Sequence, residues 1–134
     1  MTDAFVHPLS VRYLEVDAQG VVFNMWYLGW IDDALTAFLA HNGLDYAQMM
    51  AAGYDVQLVH ASLDWREGLR WGDEAAVAVR LAKVGTTSFN LVFTFLRAGD
   101  PVAAAEVVYV CVAADGSGKR PLPALVLAGL GRSD

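Results

Sequence analysis

One cysteine, Cys111, stands in 134 residues, so the chain can form no intrachain disulfide and no thiolate zinc site. Charge is scarce: 18% of residues are charged, against 56% hydrophobic. A chain this apolar has enough surface to offset its ordering entropy, which excludes intrinsic disorder. Cations are the scarcer sign. Nine Lys and Arg against fifteen Asp and Glu leave a net charge of −6 and a pI near 4.8. Nucleic acid is thereby excluded as a partner, because its affinity comes largely from cations on phosphates. No apolar run reaches the ~18 residues that a membrane span needs. The opening MTDAFVHPLSVRYLEVD has no basic segment leading into an apolar core, so it does not read as a secretory signal, and a cytoplasmic location is expected.

Several active-site signatures are missing as well. There is no G-x-S-x-G elbow and no G-x-G-x-x-G dinucleotide loop. His7, His41 and His60 have no metal-ligand spacing, so no metal and no cofactor are expected. Gly118-Lys119 lacks the earlier Gly and the following Ser or Thr of a phosphate loop, and reads as part of a turn.

What is present is material for one domain, residues 1–134, with a surplus of apolar residues. The surplus is expected to cover a second buried surface, most simply a contact between subunits. Residues 5–14 read as extended, with Pro8 confining the early part to an edge or a bend. Ala18-Gln19-Gly20 breaks the run. Tyr27, Leu28, Ile31, Ala34, Leu35, Phe38 and Leu39 then recur at helical spacing, which predicts one long helix over residues 25–42. Asn24 is its expected N-cap and Gly43 its left-handed C-cap. A short helix is expected over 46–52. Beyond Gly53 the period changes to two and predicts strands over 56–67, 74–84, 87–97 and 102–112, with turns at 97–101 and 115–118. One striped helix against about five antiparallel strands is a two-layer α+β domain.

Residues 15–24, EVDAQGVVFN, carry the chemistry. Asp17 closes the extended segment, a turn with Gly20 follows, and the helix begins a few residues on. Helix starts offer unpaired N–H groups and a partial positive charge, which can polarise a carbonyl and hold an oxyanion. A carboxylate beside them could attack that carbonyl or deprotonate a water. The alternative is that Asp17 caps its own turn, and spacing alone leaves both readings open. On a helical wheel starting at Tyr27, Asp33 falls opposite the apolar stripe, whereas Asp32 falls about 140° round, on the stripe's edge. His60, among apolar neighbours in a strand, reads as a core or pocket-wall histidine rather than a base.

At these residues the chain resembles a known family. Tyr13, Asp17, Gly20-Val21-Val22-Phe23, Tyr27 and the helix after them are similar to the opening motif of the hotdog-fold acyl-CoA thioesterases, in the branch of 4-hydroxybenzoyl-CoA thioesterase. The likeness continues through His60-Ala61-Ser62-Leu63-Asp64-Trp65-Arg66, Gly72-Asp73-Glu74, Lys83-Val84-Gly85-Thr86-Thr87-Ser88-Phe89 and Val110-Cys111-Val112.

The resemblance implies a long central helix wrapped by the sheet, in homodimers or homotetramers with sites between subunits, acting on acyl-CoA. It implies that Asp17 is the catalytic carboxylate, as nucleophile or as general base, and that the backbone N–H of Asn24 polarises the thioester carbonyl. Val22, Phe23, Tyr27 and His60 would meet the substrate. Asp32, two residues after Trp30, would accept a hydrogen bond from a hydroxylated acyl group. Arg66, Lys83, Thr86, Thr87 and Ser88 are the candidates for CoA phosphates, for which cations and turn amides are suited.

Two residues depart from the family pattern. Asn24 stands where relatives of the Tol-Pal system usually carry His, which argues against that subgroup. Trp26 stands where many members carry Asn, adding bulk near the helix start. Two rival readings keep the fold: a thioesterase serving a carrier-protein phosphopantetheine arm, and a non-catalytic domain that binds an acyl thioester.

Overall fold

The computed structural model describes residues 5–132; residues 1–4 and 133–134 of the expected single domain lie outside the described residues. In chain order the elements are β1 (Phe5–Leu9), a 3-10 turn (Tyr13–Glu15), α1 (Trp26–His41), α2 (Tyr46–Ala51), β2 (Tyr54–Trp65), β3 (Ala75–Val84), β4 (Ser88–Arg97), β5 (Asp100–Ala113) and α3 (Ala124–Gly129). The strands form one antiparallel sheet in the order β1-β3-β4-β5-β2.

Alternation decides which face of the sheet is buried. Phe89, Leu91, Phe93 and Phe95 of β4 are fully buried, with Val77 and Val79 of β3 and Val107 of β5 beside them. A register slip of one residue would turn that whole set to solvent, so the pairing is strongly specified. Against this face α1 lays Tyr27, Trp30, Ile31, Ala34, Leu35, Phe38 and Leu39; this is the expected stripe except that Trp30 joins it and Leu28, expected within it, is exposed at the stripe's edge. The helix thus covers one face of a five-stranded sheet.

The C-terminal end of α1 follows its sequence signal. Gly43 sits at φ +94, the Leu44 N–H donates to the Leu39 carbonyl at 2.9 Å, and the Gly43 N–H donates to Ala40 at 3.0 Å. That pair of bonds is a Schellman motif. The N-terminal end departs from it. The helix begins at Trp26, Met25 holds the cap position, and no side chain caps it. Asn24 gives its carbonyl to the Tyr27 N–H at 3.3 Å instead, because a tight turn over residues 23–26 precedes the first full helical turn.

Other expectations shift. The extended segment ends at Leu9, and the chain then winds into the 3-10 turn because the Glu15 carboxylate takes the Arg12 N–H at 2.7 Å. The β4–β5 turn is a two-residue hairpin, with Ala98 at φ 48 and Gly99 at φ 86, the mirror-image geometry that suits strand twist. β5 accordingly starts at Asp100 rather than Val102. The tail forms α3, whose Val126 is buried along with Leu130 just beyond its end, and Asn42 Nδ2 donates to the Gly129 carbonyl at 2.9 Å.

Candidate active site

Asp17 sits at the mouth of a miniature hairpin. Val16 and Val22 face each other as an isolated antiparallel bridge, and the Asp17 N–H donates to the Val21 carbonyl at 2.9 Å. Gly20, at φ +80, closes the turn by donating to the Asp17 carbonyl at 3.0 Å. Asp17 Oδ1 accepts the Gln19 N–H at 2.8 Å, so the side chain does brace its own turn. That bond engages one carboxylate oxygen. Oδ2 has no hydrogen-bond partner among the described residues.

From this hairpin the chain passes straight into α1. The Val22 N–H donates to Leu69 at 2.8 Å and the Phe23 N–H to Glu15 at 2.9 Å. Trp26 and Leu28 donate to the carbonyls three residues back, Phe23 and Met25, at 3.0 and 3.2 Å. The N–H groups of Asn24 and Met25 have no acceptor among the described residues, and both residues are exposed. Two unpaired donors therefore stand at the positive end of a 16-residue helix. They directly follow the hairpin that carries Asp17.

Side chains beneath this unit tie it to the rest of the fold. Glu15, 2% exposed, is the one charged residue buried among the described residues, and the Arg12 guanidinium reaches its Oε2 at 3.0 and 3.1 Å. Arg12 also lies over the Trp26 ring, 5.8 Å from its centroid. Tyr27 packs against Trp30, Trp65 and Phe95, with ring centroids 5.2, 5.6 and 5.0 Å away, and its hydroxyl accepts the Leu69 N–H at 3.2 Å. Burial pushes the Tyr27 phenol above its ordinary range, so it stays a neutral hydrogen-bonding group.

The expected site residues fall into three groups. Asp17 lies in the hairpin that leads into the helix start, where Phe23 and Asn24 are exposed, and Arg66 follows β2 at the same end of the sheet. Val22 and Tyr27, expected to meet the substrate, are instead buried beneath the site, because the bridge to Val16 and the Tyr27–Leu69 bond turn them inward. His60, expected within a core or a pocket wall, is exposed on β2, an outer strand of the sheet, beside a register irregularity. Asp32 is exposed on α1, about 9 Å along the axis from Trp26 at 1.5 Å per residue.

Lys83, Thr86, Thr87 and Ser88 gather at the far end of the sheet. β3 runs from the loop packed on Asp17's hairpin to Val84, about 30 Å away at the rise of a strand. There the Thr86 and Thr87 carbonyls accept the Leu122 and Cys111 N–H groups at 2.9 and 2.7 Å. One protomer thus does not bring them to Asp17. A cleft of about 1000 Å³ between β1, β3 and the end of α1, lined by Phe5, His41 and Arg80 among others, also lies away from the helix start.

Sequence reasoning missed Glu15, Gly68 and Arg97 as parts of the site's frame. Gly68 and Arg97 meet partners distant in sequence, which leaves no local pattern, whereas Glu15 pairs with Arg12 only three residues before it, a spacing that could have marked it. Among the described residues no three His, Cys, Asp or Glu side chains are grouped to hold a metal, and no helix is long and apolar enough to cross a membrane.

A long helix laid on a five-stranded antiparallel sheet is the architecture that the resemblance to the hotdog-fold thioester hydrolases leads one to expect. Residues 11–130 match the thioesterase-like superfamily, and the chain belongs to that family. The 1,4-dihydroxy-2-naphthoyl-CoA hydrolase of Synechococcus sp. (strain RCC307) is 31% identical over 118 residues, 84% of this chain and 90% of that protein. A hypothetical protein of Aquifex aeolicus, AQ1494, superposes with a TM-score of 0.88 at 25% identity, covering 94% of this chain and 98% of that one. Slr0204, a 1,4-dihydroxy-2-naphthoyl-CoA thioesterase from Synechocystis, has the same fold, with a TM-score of 0.84 at 23% identity and 96% of each chain covered.

Proposed function

We propose that the chain hydrolyses the thioester of a hydroxylated aromatic acyl-CoA, with Asp17 as the catalytic carboxylate and the Asn24 N–H as oxyanion donor. One observation carries this reading: a hydrogen-bonded hairpin whose Asp17 has a carboxylate oxygen without a partner leads directly into a helix start with two N–H groups that have no acceptor among the described residues. With the thioester oxygen on the Asn24 N–H, the carbonyl carbon becomes electron-poor. Asp17 then supplies the electron pair, by direct attack or by taking a proton from an attacking water. Negative charge gathers on the oxygen, the C–S bond breaks, and CoA leaves as its thiolate; on the direct route water then cleaves the mixed anhydride formed on Asp17, and on either route the free acid is released. A donor in this position is worth about 3–4 kcal/mol in the transition state.

The acyl class rests on Asp32 and on the names of the relatives. An exposed carboxylate on α1, on the helix that starts the site, is suited to accept a hydrogen bond from a ring hydroxyl. The related Synechococcus and Synechocystis enzymes are named for a dihydroxylated aromatic acyl-CoA.

The CoA end requires a second copy of the chain. β2 is 12 residues long, lies at the edge of the sheet, and exposes Leu58 and Val59. Such an edge pairs readily with its own copy. Antiparallel pairing would turn the Lys83–Ser88 end of one protomer toward the Asp17 end of the other, and Arg66 already lies at the latter.

Thiol release across a panel of short, long, branched and aromatic acyl-CoAs tests the reading. Hydroxybenzoyl-CoA should be preferred to benzoyl-CoA, and Asp32→Ala should abolish that preference. Equal ratios of kcat/KM in the two proteins would remove Asp32 from recognition. Tight CoA binding with no thiol released from any substrate would favour the non-catalytic alternative.

A further inference from the structure

We infer that Gly68 and Arg97 are positioning residues for the hydrolysis, holding the loop of residues 66–74 as a brace against the hairpin that carries Asp17 and the helix start after it, which bears the Asn24 N–H. The inference rests on the catalytic role proposed for that hairpin. The brace touches it at three points. The Leu69 carbonyl takes the Val22 N–H at 2.8 Å, and the Leu69 N–H reaches the buried Tyr27 hydroxyl at 3.2 Å. Leu69 itself is fully buried, so it ties the strand before the helix to the first helical turn. At Gly68 the loop backbone lies on Val21 so closely that a Cβ there would stand 2.8 Å from both Cβ and Cγ1 of Val21. These are contacts that glycine alone permits.

Arg97 locks the loop from its other side. From the end of β4 its Nη2 donates to the Gly68 carbonyl at 2.6 Å, its Nη1 to Glu67 Oε1 at 2.9 Å and its Nε to Asp73 Oδ2 at 3.0 Å. Asp73 Oδ2 also accepts the Arg70 N–H at 2.7 Å. One planar fork thus fixes both arms of the loop, a geometry that an ammonium cannot reproduce. Displacing the brace moves the Val22–Asn24 backbone, and with it the spacing between the oxyanion donor and Asp17. A misplacement of about 1 Å at reacting groups costs on the order of 100-fold in rate.

The test is steady-state hydrolysis of one acyl-CoA by wild type, Gly68→Ala, Arg97→Met, Arg97→Lys and Asp17→Asn, each checked for folding by circular dichroism and melting well above the assay temperature. Gly68→Ala and Arg97→Met should lose about 10–100-fold in kcat, with KM within about twofold of wild type. Arg97→Lys should lie between them and wild type. Val21→Gly, which removes the atoms a new methyl would strike, should restore turnover to Gly68→Ala. That split of kcat from KM, and that rescue, separate positioning from loss of fold. If Gly68→Ala fails to fold, the two Arg97 variants decide the matter. Folded Arg97→Met with wild-type kcat, while Asp17→Asn is inactive, would overturn the brace and leave the site intact. Wild-type turnover in Asp17→Asn would overturn the site itself.

Discussion

Replacing Tyr109 by Phe should make the protein more stable. Tyr109 is 2% exposed, lies on the inner face of β5, and stacks on Phe89 with centroids 5.2 Å apart. Its hydroxyl is buried and has no hydrogen-bond partner among the described residues. A buried polar group left unpaired costs about 1–3 kcal/mol, and Phe keeps the ring while removing that cost. The expected gain at pH 7 is therefore about 1–2 kcal/mol, or a few degrees in Tm for a domain of this size.

The pH dependence gives a second handle. Burial, with the Asp32 charge adding to it, pushes the Tyr109 phenol far above its ordinary range. The folded state then keeps a proton that the unfolded state gives up from about pH 10, so wild-type stability falls as pH rises beyond that point. The slope for one such group is about 1.4 kcal/mol per pH unit. Tyr27, also raised by burial, contributes the same way in both proteins. Urea unfolding at equal protomer concentration, at pH 7 and at steps above pH 10, measures both effects. The gap between Tyr109→Phe and wild type should widen as pH rises. A variant less stable than wild type at pH 7, or a gap that does not change with pH, would refute the reasoning.

Gly43→Ala puts a side chain at φ +94 and should cost about 1 kcal/mol or more, read as a lower urea midpoint with unchanged slope. An Ala variant as stable as wild type would mean that the helix end relaxes freely. Val59→Lys sets a charge on the exposed face of the edge strand β2 and should shift sedimentation toward monomer, with thiol release falling in parallel. Full activity in a monomeric variant would contradict a site completed by a second copy.

The parts of this fold that could be read from the sequence are those specified locally. Seven apolar residues at helical spacing gave α1 to within a residue at each end, and Gly43 marked its stop. Phe89, Leu91, Phe93 and Phe95 marked β4 by alternation alone. The helix start was harder, because Asn24 has the right side chain for a cap while the chain uses a tight turn held by Glu15 and Leu69 instead. α3 was missed since six residues of Ala, Leu, Val and Gly carry no stripe; what orders them is contact with Leu44 and Asn42.

At the site, Asp17 and the turn after it were visible as a motif. The frame beneath them was not. Arg97 lies 24 residues from Asp73, and Tyr27 lies 42 from Leu69, so nothing local connects either pair. Val22 and Tyr27 were assigned to the substrate because motif membership does not say which way a side chain points. The positions of Lys83 and Thr86–Ser88 relative to Asp17 depend on strand direction, which spacing cannot give.

The most direct measurement is the turnover number of Asp17→Asn with a substrate that the wild type hydrolyses, on protein whose folding and CoA affinity match wild type. The substitution keeps the size of the side chain and the Oδ1 acceptor for Gln19, while removing the negative charge. The expected result is a loss of kcat of at least about 100-fold with little change in KM. Turnover within a few-fold of wild type would contradict the assignment of this carboxylate to the chemistry.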